Sequence, residues 1–212
     1  LSTRKVPVIF AADIAGSLFG HFVSAINGNS LYRKASFLLD HLGKPVFPEF
    51  MRIHEQPLLR KGMGSAPYDS EGVVTRARDI VNEGVLQGYV LNSYAARRLG
   101  MQTTGNAGGV RNLTIEPGDK DFQSLLNSMD TGLLVTELIG FGVNNVTGDY
   151  SRGAAGFWVE GGEIQYPVDE ITVAGNLKDM FMDIAEVGND VDLRGNTRTG
   201  SVLIGQMTVA GA

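Results

Sequence analysis

Cysteine is absent from this chain of 212 residues. Its absence excludes disulfides, thiolate nucleophiles and cysteine-containing metal sites, and it fits a reducing compartment, so a cytoplasmic location is expected. Histidine is scarce, with only His21, His41 and His54 present, so a zinc site would have to draw on these together with Asp or Glu. Charge is also sparse: Asp, Glu, Lys and Arg make up 19% of the chain and the net charge is -5. Lys and Arg are scattered among acids, no basic face is evident, and no block of cations could follow a phosphate backbone, so direct nucleic-acid binding is not expected. No apolar run approaches the roughly 20 residues that a membrane-spanning helix needs, and no basic stretch followed by a cleavable apolar segment opens the chain. A membrane role is therefore not expected.

What is abundant points to sheet. Glycine occurs 28 times, 43% of residues are hydrophobic and mean hydropathy is close to zero, a balance that suits strands joined by tight turns more than a helical bundle. The expected class is α+β, sheet-rich, with mainly antiparallel or mixed strands and a few packed helices. Val6 to Phe10 reads as a buried strand close to a first residue that is not Met, which suggests a start at a domain boundary with an N-terminal domain missing from this chain.

Local patterns fill in the elements. Asp13 stands where an N-cap would precede Ile14, Leu18, Phe19, Phe22 and Ile26, whose spacings place them on one helical face, with Gly28 as the stop. Pro45, Pro48 and Pro57 punctuate extended segments and loops. Val73 to Val81 and Val85 to Leu91 suggest a hairpin around Asn82-Glu83-Gly84. Ser93 can cap a helix through Leu99 that Gly100 ends, and a Gly-rich loop from Thr103 to Gly109 leads to a strand at Val110 to Ile115. A helix over Lys120 to Met129 precedes a strand at Gly132 to Ile139. Ala154 to Glu160 and Glu163 to Val168 flank Gly161-Gly162, the strongest hairpin signal. A strand at Ile171 to Ala174, a helix over Leu177 to Val187, and strands at Ser201 to Ile204 and Met207 to Ala210 complete the expectation.

No catalytic constellation is complete. Gly105-Asn106-Ala107-Gly108-Gly109 precedes a strand and lacks Gly-Lys-Ser/Thr, so it fits neither a Walker loop nor a dinucleotide loop. His54-Glu55 resembles the opening of His-Glu-x-x-His, but Leu58 occupies the second ligand position and Pro57 disfavours the helix, which leaves His54 as a loop histidine. Gly64-Ser65-Ala66 and Asp149-Tyr150-Ser151-Arg152 do not match a nucleophile elbow. Asp169-Glu170 and Asp190 with Asp192 read as surface charge, since acid/base work would require the fold to bury them together.

A longer pattern supplies what the isolated motifs do not. The run Thr147-Gly148-Asp149-Tyr150-Ser151-Arg152-Gly153-Ala154-Ala155-Gly156-Phe157-Trp158-Val159-Glu160, followed by Glu163-Ile164-Gln165-Tyr166-Pro167-Val168, resembles the signature of the TldD/PmbA family of metallopeptidases. Tyr68 to Gly72, Gly105 to Gly109, Thr136 to Leu138, Ile171 to Leu177 and Val187 to Asp190 extend the likeness over nearly the whole chain, closest to the PmbA (TldE) branch. The resemblance implies a C-terminal domain spanning 1–212, cytoplasmic and paired with a TldD-like subunit in a heterodimer. It also implies proteolysis of extended or unfolded peptides such as a microcin precursor leader or an antitoxin; modulation of DNA gyrase is an older label for the family.

In the TldD branch the resemblance implies a helix bearing His-Glu-x-x-x-His, with a later cysteine completing a zinc site. Register from Gly16 to Arg33-Lys34 puts Gly20 at the first histidine, His21 at the glutamate and Ala25 at the second histidine, while Thr199 falls near the cysteine position. No catalytic residue and no metal are therefore expected in this chain, and zinc is expected in the TldD partner. Gly108, Gly109, Asp149, Tyr150, Arg152 and Trp158 are the candidate contacts to peptide or partner, against a structural reading of tight turns, a salt bridge and an aromatic core plug. An active hydrolase and a free-standing regulatory module are the alternatives, and homodimerisation of the isolated chain is compatible with all three.

Overall fold

The structure is a computed structural model that describes residues 1–211. Its elements in chain order are β1 (Arg4–Phe10), α1 (Ala12–Ala25), α2 (Gly28–Tyr32), β2 (Ile53–Glu55), β3 (Arg78–Asn82), β4 (Val85–Leu86), α3 (Ser93–Arg98), β5 (Leu113–Ile115), α4 (Phe122–Met129), β6 (Gly132–Ile139), β7 (Asp149–Glu160), β8 (Glu163–Asn176), α5 (Leu177–Met182), β9 (Ile184–Val187), β10 (Thr197–Arg198) and β11 (Val202–Gly211). The class is α+β with sheet predominant. The chain forms two compact units.

The first unit contains residues 1–17, 117–192 and 199 onward. Its strands run β1-β6-β7-β8-β11, and pairing of β1 with β11 closes them into a five-stranded barrel, with β9 beside the first half of β11. β1 and β6 are parallel and the remaining neighbours antiparallel. Ile9, Leu134, Val159 and Leu203 project from the strands against Leu125, Leu126 and Met129 of α4, all of them buried. Each such side chain removed from water contributes about 1.5–3 kcal/mol. Asp121 caps α4 by accepting from the Ser124 N–H at 2.8 Å.

The second unit contains residues 18–116 and 193–198. Its five-stranded sheet runs β10-β5-β2-β3-β4. Leu18, Phe19, Phe22 and Ile26 are wholly buried, as their helical spacing anticipates, and Phe22 meets Phe47 edge-on with ring centroids 4.9 Å apart.

Several boundaries differ from the sequence expectation, each with a local cause. The helix expected over Leu177 to Val187 ends at Met182, and Ile184–Val187 becomes β9 because β-branched residues there pair with β11. The strand expected from Val73 begins only at Arg78, since side chains engage the backbone before it: the Val73 N–H donates to Asp69 Oδ1 at 2.9 Å and the Thr75 hydroxyl to the Ala66 carbonyl at 2.7 Å. Val85 to Leu91 contributes only two residues to the ladder, because the Val90 N–H and carbonyl bond instead to Ile26 and Gly28. Gly28 opens α2 instead of merely ending α1; Asn27 caps it, and Asn92, not Ser93, caps α3. The last four expected strands fuse into two, β8 and β11. His54 lies in β2, not in a loop, with Nδ1 3.5 Å from the Glu116 carboxylate.

Candidate functional site

α1 carries the positions where the resemblance implies metal ligands. Gly20 is exposed, and a side chain added there would meet nothing within 4 Å, so packing does not require its glycine. Ala25 is wholly buried, His21 is half-buried, and His21 is the only residue of the three able to ligate a metal. Thr199, in the first unit, is buried, with its hydroxyl bonded to the Gly200 carbonyl at 3.0 Å. Among the described residues no three side chains of His, Cys, Asp or Glu gather closely enough to hold a metal ion. The residues present do not fit zinc, which needs three or four such ligands.

The Gly-rich loop at Gly105 to Gly109 is built into a polar network. Asp69 reaches across from Tyr68-Asp69-Ser70-Glu71-Gly72: one carboxylate oxygen accepts the Glu71 and Val73 N–H groups and the other the Ala107 N–H, each at 2.9 Å. Burial pulls the Asp69 pKa upward, but those three amides and the Arg111 charge outweigh it and hold the carboxyl below its ordinary value. Beneath the loop, Glu55 is 3% exposed and accepts from the Arg111 N–H at 2.7 Å, the Asn106 amide at 2.8 Å and Arg78 Nε at 3.2 Å. Arg78 also donates to the Tyr89 carbonyl and to Asn106 Oδ1. Gly108 and Gly109 have φ of +97° and +100°, a region that disfavours side chains, and the Gly109 carbonyl accepts from Asn106. Arg78 was not singled out from sequence, and Glu55 only beside His54; an ion pair with 22 residues between its members carries no local signal.

The β7 candidates separate by burial. Trp158 is 2% exposed, its indole N–H bonded to Glu160 at 2.8 Å and Arg4 lying 5.3 Å from the ring centroid. Tyr150 is 1% exposed; burial drives its hydroxyl up to about 12, against the opposing charge and hydrogen bond of Arg152. Arg152 also donates to the Leu138 carbonyl at 3.4 Å. Asp149 is exposed, yet it accepts from the Thr147 hydroxyl at 2.6 Å and the Asn176 amide at 3.3 Å. Together with the Leu177 N–H on the Gly148 carbonyl, these bonds join the run Thr147 to Glu160 to the run Ile171 to Leu177. The paired signature stretches are thus partners in structure; Gly108 and Asp149 are exposed and Gly109 and Arg152 partly so, where Tyr150 and Trp158 are buried.

Two stretches of sheet edge stay open in the first unit. β8 pairs with β11 only through Ile171–Ala174, and β6 pairs with β1 only through Leu133–Val135. Among the described residues, Glu163 to Glu170 and Thr136 to Ile139 therefore have a strand neighbour on one side only, with Ile139, Ile164 and Tyr166 about half exposed.

Comparison with known proteins agrees in sequence and in fold. The PmbA/TldA metallopeptidase C-terminal domain matches residues 3–211. The chain is 57% identical over 211 residues to Metalloprotease PmbA of Escherichia coli O157:H7, covering all of this chain and 47% of that protein. The chain thus spans about half the length of the curated relatives it matches. A crystal structure from Bacteroides thetaiotaomicron, named as a candidate modulator of DNA gyrase, superposes with a TM-score of 0.93 at 31% identity, over 100% of this chain and 48% of that one. TldE from Thermococcus kodakarensis has the same fold, with a TM-score of 0.85 at 23% identity over 100% of this chain and 51% of that one.

Proposed function

The chain belongs to the PmbA/TldD metallopeptidase family, and on that footing we propose that it serves as the C-terminal domain of the non-catalytic subunit of a TldD/TldE-type peptidase complex. The observation that carries the reading is α1: Gly20 and Ala25 offer no donor atom, and His21 alone cannot assemble the coordination that zinc requires. Zinc and the activation of water belong to the TldD-like partner, and no step of peptide hydrolysis runs through this chain's own residues.

Its contribution is binding. A partner subunit is held through an interface of the size obligate complexes need, and the peptide lies extended against an open sheet edge. Main-chain bonds along such an edge tolerate many sequences. The open stretches of β6 and β8, each bearing half-exposed apolar side chains, support that mode. Gly108 and Asp149 are the exposed candidates for further contacts. A cytoplasmic location is part of the same reading, and the lack of cysteine is compatible with it.

Zinc content and peptide hydrolysis, measured on the full-length protein alone and mixed with its TldD-type partner with chelator controls, test the reading. Zinc-free protein that is inactive alone and active only in the mixture is the expected result. Stoichiometric zinc and chelator-sensitive cleavage by the protein alone would overturn it.

A further inference from the structure

Arg33 and Arg98 are far apart in sequence and come together on one surface of the second unit. The cause is close packing of α2 on α3: Gly28 faces Ala95 so tightly that an added Cβ would come within 2.6 Å of the Ala95 Cβ. Tyr32 then meets Tyr94 edge-on at 5.7 Å, and the guanidiniums of Arg33 and Arg98 lie 5.5 and 5.7 Å from the Tyr32 ring centroid. Two cations from different helices thus share one ring and are at most about 11 Å apart. Arg33, Lys34, Arg97 and Arg98 are exposed, and none has a carboxylate within 4.0 Å among the described residues. Glu71 does reach α3, but its carboxylate accepts the Ser93 N–H at 2.9 Å, at the helix's first residue.

Interaction with the C-terminus of α3 would account for Arg97 and Arg98 in its last turn, and Arg33 stands at the C-cap of α2. It does not account for the convergence of Arg33 and Arg98 on one ring without a carboxylate partner, in a chain whose net charge is -5. Beside them, Ser93, Ala96, Arg97, Met101, Gln102 and Thr103 line an open groove of about 410 Å³, with Tyr94 and Met101 51% and 37% exposed.

We propose that this α2–α3 surface docks an acidic polypeptide segment, carboxylates meeting Arg33 and Arg98, with Arg97 beside the groove, and an apolar side chain entering the groove over Met101. Charge complementarity selects the sign of the partner. Nucleic acid fits less well, because the Tyr32 ring is already taken by two guanidiniums and Tyr94 and cannot serve as a stacking platform for a base, and because the chain is acidic as a whole. The docking stands independently of where the peptidase zinc resides.

The test uses the full-length protein and fluorescence anisotropy with three labelled probes: a peptide alternating glutamate with leucine, its lysine-for-glutamate counterpart, and a single-stranded oligonucleotide of matching charge. The acidic peptide should bind, weaken as salt rises, and lose about tenfold in affinity in the double variant Arg33→Ala with Arg98→Ala. The Arg→Lys pair should retain most of the binding, and Arg60→Ala, at an exposed arginine outside the patch, should leave it unchanged. A circular-dichroism melt of each variant separates lost docking from lost fold. Binding of the acidic peptide that the Arg33 and Arg98 changes do not alter, equal binding of the lysine peptide, no binding, or tighter binding of the oligonucleotide would each overturn the proposal.

Discussion

Replacing Glu55 with alanine should destabilise the second unit by about 3–5 kcal/mol, the range found when one partner of a buried ion pair is removed. The magnitude can be built from the contacts. Glu55 accepts three hydrogen bonds, from the Arg111 N–H, the Asn106 amide and Arg78 Nε. Without it the Arg111 N–H loses its acceptor, at about 1–3 kcal/mol for an unsatisfied buried donor. Arg78, whose side chain is 20% exposed, keeps the Tyr89 carbonyl and Asn106 Oδ1 but loses its counter-charge. A hydrogen bond to a charged group adds about 1.5–3 kcal/mol. Glu55→Gln should cost less, about 1–3 kcal/mol, because its carbonyl still accepts from Arg111 and Asn106 while its amide faces the Arg78 donor. Native-state amide exchange over Val110 to Leu113 reads the opening free energy where the change is felt. Loss of less than about 1 kcal/mol in Glu55→Ala would place the network with exposed ion pairs and refute the reasoning.

Two further outcomes follow from the barrel of the first unit. At Gly156 on β7 an added Cβ would stand 1.9 Å from the Leu134 carbonyl oxygen, an obstacle of backbone that no rotamer can relieve. Gly156→Ala should therefore cost about 3 kcal/mol or more, read from denaturant unfolding followed by the fluorescence of Trp158; a change within about 0.5 kcal/mol would refute the close approach. Because burial raises the Tyr150 hydroxyl to about 12, its contribution is fully present below pH 10 and is lost as pH rises toward 12, about 3 kcal/mol for a shift of about two units. Tyr150→Phe should flatten that alkaline arm in unfolding titrations between pH 9 and 12. An unchanged arm would show that another group carries it.

Much was legible in the sequence because its signals are local. The helical spacing of Leu18, Phe19, Phe22 and Ile26, the Gly161-Gly162 turn with φ of +60° and +73°, and the helix expected over Lys120 to Met129, found as α4, each depend on a few neighbouring residues, and each is present in the structure. The TldD/PmbA resemblance was likewise read from side-chain identities and is borne out by the domain match.

Long-range pairing decided the rest. Whether Ile184 to Val187 continues a helix or joins a sheet depends on β11 being alongside, and the length of β8 depends on β7 across the hairpin, because a strand's hydrogen-bond partners lie elsewhere in the chain. The same reason hid the Asp69 and Glu55 networks and the Arg33–Tyr32–Arg98 surface. Sequence alone determined the residue types and the local turns; only tertiary structure decided which charges are buried in pairs and which are left gathered at the surface, because an electrostatic neighbour is set by distance in space and not along the chain.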